Sequence, residues 1–141
     1  MIPAPRPAPP VPGTLQPAPL APSIPPPPTE HRLGAAAAAL VDQARRQAAN
    51  GEPQQAQATL ERALRIEPES PLLWIMLGQA HESAGQYSLA GSMGHKALQL
   101  ASGDAHAQAS AWRLIGDSLR ARGRNSDANE AYSHADTLAA Q

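Results

Sequence analysis

Five histidines, twelve carboxylates and eleven basic side chains are the groups that could do chemistry in this chain of 141 residues. Catalysis needs such groups gathered, a nucleophile beside a base or ligands at metal spacing. His31, His81, His95, His106 and His134 are instead dispersed. His81-Glu82 begins like the helix of a zinc protease, but the position four residues after His81 is Gly85 rather than a second His. The plain assignment for His81 is therefore a core side chain. Gly91-Ser92-Met93-Gly94 has neither the Gly-x-Ser-x-Gly spacing nor the preceding strand of a nucleophile elbow. The chain has no cysteine, which removes disulfides, thiolate zinc sites and cysteine nucleophiles. Arg113, Arg120, Arg122 and Arg124 form a small basic cluster. Asp117 lies four residues after Arg113 and three before Arg120, the spacing of ion pairs along one helix. The cluster reads as a solvated charged face, with a docking patch for an acidic partner as the functional alternative. No aromatic is interleaved with it and the net charge is -1, so nucleic acid is not an expected partner. The residues imply a non-enzyme with no catalytic, cofactor or metal site.

The elements that would position these groups differ sharply along the chain. Residues 1–29 hold 13 of the 16 prolines. Proline fixes φ and removes N–H donors, so a solvated arm with polyproline-II bias is expected there. Arg6-x-x-Pro9-x-x-Pro12 has the form of a ligand for an aromatic-lined groove, although a spacer is the simpler reading of so proline-dense a tract. The division expected is a disordered Pro-rich arm over residues 1–33 and a helical domain over residues 34–141.

Six helices follow from the punctuation. The first starts near Gly34 and stops at Asn50-Gly51. The second takes Pro53 in its first turn and ends before Glu67-Pro68. Ser70-Pro71 caps and opens the third, which Gly85 closes. The fourth spans about residues 87–100. Asp104 caps the fifth, which stops at Gly123. Ser126 is the expected cap of the sixth. No run approaches the roughly 18 apolar residues of a membrane-spanning helix.

A local frame recurs along this helical part. Trp74-x-x-Leu77-Gly78 is followed by Ala90 and Ala97. Trp112-x-x-Ile115-Gly116 is followed by Ala128, Tyr132 and Ala135. A weaker copy has Leu40, Ala44, Ala56, Leu60, Ala63 and Pro68. The step is 34 residues from Leu40 to Trp74 and 38 from Trp74 to Trp112. The four extra residues predict a fifth helix about one turn longer than the third. A period of this size means helix pairs stacked into a solenoid. Gly78, Gly116 and Ala44, opposite Ala90, Ala128 and Ala56, are small where the helices of a pair should cross. Gly91 and Gly94 weaken the fourth helix, and Trp112 is expected to lean over Gly94.

In these residues the chain resembles the tetratricopeptide repeat family. The resemblance implies an all-α fold: a short right-handed solenoid of three helix-turn-helix repeats, about residues 37–70, 71–104 and 109–141. It also implies that the first helix of each repeat lines a concave groove. The groove residues expected are Val41 and Arg45, then Leu72, Ile75, Gln79 and Glu82, then Arg113, Asp117 and Arg120. Such a groove suits a peptide or helix of a partner protein. The Lys and Asn set by which chaperone-binding members hold a carboxylate tail is absent. The layout is similar to small bacterial envelope proteins with a lipid-anchored Pro-rich tether and a short repeat domain, implying a role in envelope assembly or maintenance. In those proteins a signal peptide ending in Cys precedes the tether. The expected location is the periplasm or cell envelope if such a segment lies upstream of Met1, and the cytoplasm otherwise. The alternative function is a self-associating module, a homodimer through the uncovered C-terminal face where Tyr132 and Leu138 are expected.

Overall fold

Three turns with one hydrogen-bond pattern set the architecture. At the first, the N–H of Gly85 donates to the Glu82 carbonyl at 2.9 Å and that of Gln86 to the His81 carbonyl at 2.8 Å. This is the Schellman closure, and it needs a left-handed residue, which Gly85 supplies at φ 76°. Gly51 and Gly123 close the other two hairpins with the same pair of bonds. The computed structural model describes residues 2–7, 13 and 31–141. The arm expected over residues 1–33, with Pro9 and Pro12 of its PxxP motif, lies largely outside the described residues.

The helices are α1 (Ala35–Ala49), α2 (Pro53–Ile66), α3 (Pro71–Ser83), α4 (Tyr87–Leu100), α5 (Ala105–Ala121) and α6 (Asn125–Ala139). They form three antiparallel pairs, α1–α2, α3–α4 and α5–α6, stacked in chain order. No strand occurs among the described residues. The α5 helix has 17 residues and α3 has 13, the one-turn difference that the repeat spacing predicts. Ser70 accepts from the Leu73 N–H and Asp104 from the Ala107 N–H, so both predicted caps form. The predicted Ser126 cap does not. Helix α6 starts two residues earlier with Arg124 at its N-cap, and Ser126 falls inside the first turn. Arg124 pairs with Asp127 at 2.7 Å, placing a carboxylate in the first turn, where the helix dipole favours it.

Missing side chains let the helices approach. A Cβ on Gly116 would lie 2.6 Å from the ring of Tyr132, so the α5–α6 crossing is built around that tyrosine. Gly78 is covered by Leu114 and Met93. The expectation that Trp112 covers Gly94 is wrong. Ile115 fills that space, with its Cγ1 2.8 Å from where a Cβ would be, and Ser118 sits over Gly91. Trp112 turns away and stacks on His134, with ring centroids 4.4 Å apart. Ser118, buried at this contact, donates to the Tyr87 carbonyl at 2.6 Å. The glycines of α4 are thus the sites where α5 docks, which offsets their cost of roughly 1 kcal/mol each in helix propensity.

Among the described residues, two clusters of buried apolar side chains join successive helix pairs. One joins α1, α2 and α3 through Val41, Ala44, Leu60, Ala63, Leu73 and Leu77. The other joins Ile75 to Ala97, Ala101, Ala107 and Ala111. Trp74 packs against both, and its Nε1 donates to the Pro68 carbonyl at 2.9 Å. Polar groups inside are satisfied: Thr59 donates to Gln47 Oε1 at 2.7 Å, tying α1 to α2. His81 fills the core position expected of it, its Nδ1 2.6 Å from Gln86 Oε1.

Candidate functional site

The face formed by the first helices, α1, α3 and α5, carries most of the expected groove residues, but not all. Val41 is 4% exposed and Ile75 5%. Val41 belongs to the α1–α2–α3 core, and Ile75 packs on the alanines of α4 and α5. Neither is open to a partner, so both are corrections to the sequence reading. The cause is the run Leu72-Leu73-Trp74-Ile75-Met76-Leu77. Helix α3 is packed by α2, α4 and α5. It is apolar nearly all round, so spacing cannot say which apolar residues face out. Leu72 is half-buried and lines neither of the two depressions of this face.

The first depression lies between α1 and α3, which do not touch through their backbones, whereas α3 packs directly on α5. It is a cleft of about 190 Å³. Its walls are Ala44 and Ala48 of α1, Ala56 and Leu60 of α2, and Met76 and Ala80 of α3, with Arg45, Gln79 and Ser83 at the rim. Arg45 and Gln79 are both exposed. Met76, Ala80 and Ser83 were missed. With Gln79 they make an i, i+3, i+4, i+7 stripe one residue out of register with the one read from sequence.

The second depression, about 370 Å³, gathers Arg113, Asp117, Arg120, Tyr132 and Asp136. Three expected residues meet here, joined by two from α6. The Tyr132 hydroxyl donates to Asp117 Oδ1 at 2.5 Å. Arg120 reaches the same oxygen at 3.4 Å and lies over the Tyr132 ring, 5.4 Å from its centroid. Burial, and then the Asp117 bond and charge, push the Tyr132 hydroxyl up to about 12, against the opposing pull of Arg120. Glu82 of α3 faces this cluster. Burial and then the Asp117 charge raise its carboxyl above the ordinary value, again opposed by Arg120. Arg113 makes no ion pair or hydrogen bond among the described residues, so of the two pairings its spacing allowed with Asp117, only that of Arg120 forms.

A third feature was not read from the sequence. His31 turns back onto the α5 cap: its N–H donates to Asp104 Oδ2 at 3.1 Å and its Nδ1 lies 3.0 Å from the same oxygen. The Gly34 N–H donates to the Glu67 carboxylate at 3.1 Å. Burial alone would raise the Asp104 carboxyl; the bonds from Ala107 and His31 outweigh it and hold the group below its ordinary value. Residues 31–34 therefore lie along the turns that join the repeats. The uncovered α6 end also differs from expectation. Tyr132 points inward over Gly116, and the exposed stripe is Asn129, Ser133 and Thr137. The hydroxyls of Ser133 and Thr137 bond to carbonyls of their own helix.

No group of three His, Cys, Asp or Glu residues that could hold a metal occurs among the described residues. No helix among them is long and apolar enough to cross a membrane. Stacked antiparallel helix pairs with small residues at each crossing define a helical-repeat solenoid, an architecture that presents surface to partners. The tetratricopeptide repeat family matches over residues 37–80. The globular C-terminal domain of P. aeruginosa LpoP is 30% identical with a TM-score of 0.72, over 74% of this chain and 99% of that one. The chain belongs to the tetratricopeptide repeat family. The MamA RS-1 ArsTM double mutant is 20% identical with a TM-score of 0.48, over 76% of this chain and 77% of that one. No curated protein matches the sequence.

Proposed function

We propose that this chain is a non-enzymatic adaptor that holds a peptide or helix of a partner protein across the face formed by α1, α3 and α5, in assembly or maintenance of the bacterial envelope. The observation that carries the reading is the division of that face. An apolar cleft with Arg45 at its rim lies at one end and a polar cluster with Arg113 at the other, and neither arginine is paired among the described residues. Apolar anchoring beside unsatisfied charge is how groove binders combine affinity with orientation. The likeness to the LpoP domain, itself the globular C-terminal part of a longer protein, fits a module displayed on a tether. The envelope setting rests on the layout of a Pro-rich arm before a short repeat domain, with periplasm or cell envelope as the proposed location. Self-association through the α6 end has less support, because the exposed stripe there is polar.

Affinity capture from native-source extract tests the reading, with the full chain and its Arg45→Glu/Arg113→Glu variant as baits. Both substitutions are at exposed positions and leave the core intact. A partner retained by the full chain and lost by the variant is expected. Equal retention by both would move the contact off this face.

A further inference from the structure

The cleft between α1 and α3 has a size and a charge, and together they specify what enters it. Its walls are alanine, leucine and methionine, and no charged group other than Arg45 lines it. Its volume of about 190 Å³ is below the roughly 300 Å³ at which pockets for whole small-molecule ligands begin. It exceeds the roughly 150 Å³ of an apolar cavity that takes up benzene. The fit is therefore one large apolar side chain. The gap has a structural origin: α1 presents Ala44 and Ala48 toward α3, while α2 lies beneath with Ala56 and Leu60 as floor. Arg45 at the rim is exposed and has no ion-pair or hydrogen-bond partner among the described residues. The other rim residues, Gln79 and Ser83, are neutral, so the mouth of the cleft is positive.

We infer that the α1–α3 cleft is an anchor site for an acidic amphipathic segment of a partner protein, which inserts one Leu, Met or Phe side chain and sets a carboxylate beside Arg45. The inference rests on the adaptor reading above and adds the chemistry of the occupant. An Ala-walled cleft gains from any large apolar side chain, so shape alone would discriminate weakly. The carboxylate at Arg45 would set the direction in which the segment lies across α3 toward α5.

The test uses the full chain with labelled methyl groups, titrated with two probes in NMR. The probes are 3-phenylpropionate, which joins a phenyl ring to a carboxylate, and 3-phenylpropylamine, its cationic counterpart. Saturable shifts of the Met76 and Leu60 methyls with 3-phenylpropionate, weaker with the amine, are expected. Arg45→Gln should reduce phenylpropionate affinity by up to about fivefold, the scale of one exposed ion pair, and leave the amine unaffected. Ala48→Leu, a change at an exposed helix position, should fill the cleft and abolish the shifts of both probes. Absence of saturable shifts at Met76, or equal binding of acid and amine, overturns the inference. If the probes fail while capture still depends on Arg45 and Arg113, the adaptor reading stands and the anchor chemistry falls. If the probes bind but the charge-reversed bait keeps its partner, the adaptor reading falls and the cleft chemistry stands.

Discussion

Replacing Gly116 with alanine should destabilise this domain, against the rule that alanine is the better helix former. Helix propensity alone favours the change by about 1 kcal/mol. The new Cβ, however, would lie 2.6, 2.9 and 3.0 Å from three carbons of the Tyr132 ring. A ring cannot yield as the end of a flexible chain does, so α6 or Tyr132 must move. Overpacking of this kind costs about 1–3 kcal/mol. Moving the ring also weakens the hydroxyl bond to Asp117; bonds to charged groups contribute about 1.5–3 kcal/mol, and the partial exposure of this one puts it at the lower end. The balance is a loss of about 2 kcal/mol for Gly116→Ala. In a Tyr132→Ala background the obstacle is gone, and the same change should stabilise by about 1 kcal/mol. Urea denaturation followed by far-UV circular dichroism gives all four corners of the cycle, with an expected coupling of about 3 kcal/mol. A Gly116→Ala variant at least as stable as wild type, or equally damaging in both backgrounds, would refute the claim that this crossing is built on the tyrosine.

Further outcomes follow from the polar contacts. The Tyr132 hydroxyl, raised from 10.0 to about 12, should ionise late in a spectrophotometric titration, and earlier in Asp117→Asn, which removes the charge and leaves a neutral acceptor in its place. Because its folded value is raised, the stability it contributes is full below pH 10.0 and is lost as pH rises toward about 12. Asp104 has the opposite sign. Its folded value lies below 3.8, so its contribution is present above 3.8 and disappears as pH falls through the folded value. Asp104→Asn should flatten that acid limb of the stability curve, and Asp104→Ala should cost about 1 kcal/mol through loss of the α5 cap. Amide exchange of Ala107 and of His31 should accelerate together in the alanine variant, since one carboxylate holds both N–H groups.

The helix order was legible because its signals are local. Glycines at 51, 85 and 123, prolines at 53 and 71, and the caps at Ser70 and Asp104 each act within one turn of chain. The repeat frame supplied the pairing, and its 38-residue step gave the longer α5. What failed depends on neighbours distant in sequence. Ile75 and Val41 looked like surface apolar residues by spacing, but α3 is enclosed by three helices and offers no single apolar stripe to read. Trp112 and Ile115 both lie near α4, and only the packed helices decide that Ile115 enters the space at Gly94. Ser126 and Asn125 are both good cap residues, yet the Gly123 turn fixes where α6 begins and leaves Arg124 at the N-cap. The polar residues expected in the groove, Arg45, Gln79, Glu82, Arg113, Asp117 and Arg120, are all exposed or half-buried, because charged and polar groups resist full burial. Contacts such as Tyr132 with Asp117 and His31 with Asp104 are 15 and 73 residues apart and left no periodic trace.

The central claim is that a partner protein lies across α1, α3 and α5. Site-specific photocrosslinking in living cells tests it most directly, with p-benzoylphenylalanine placed at Gln79 on this face or at Ser133 on the exposed stripe of α6. The account predicts a crosslinked heterologous protein from position 79, reduced by Arg45→Glu/Arg113→Glu, and none from position 133. Crosslinks from position 133 to a second copy of the chain, with none from position 79, would contradict it and restore self-association as the function of the domain.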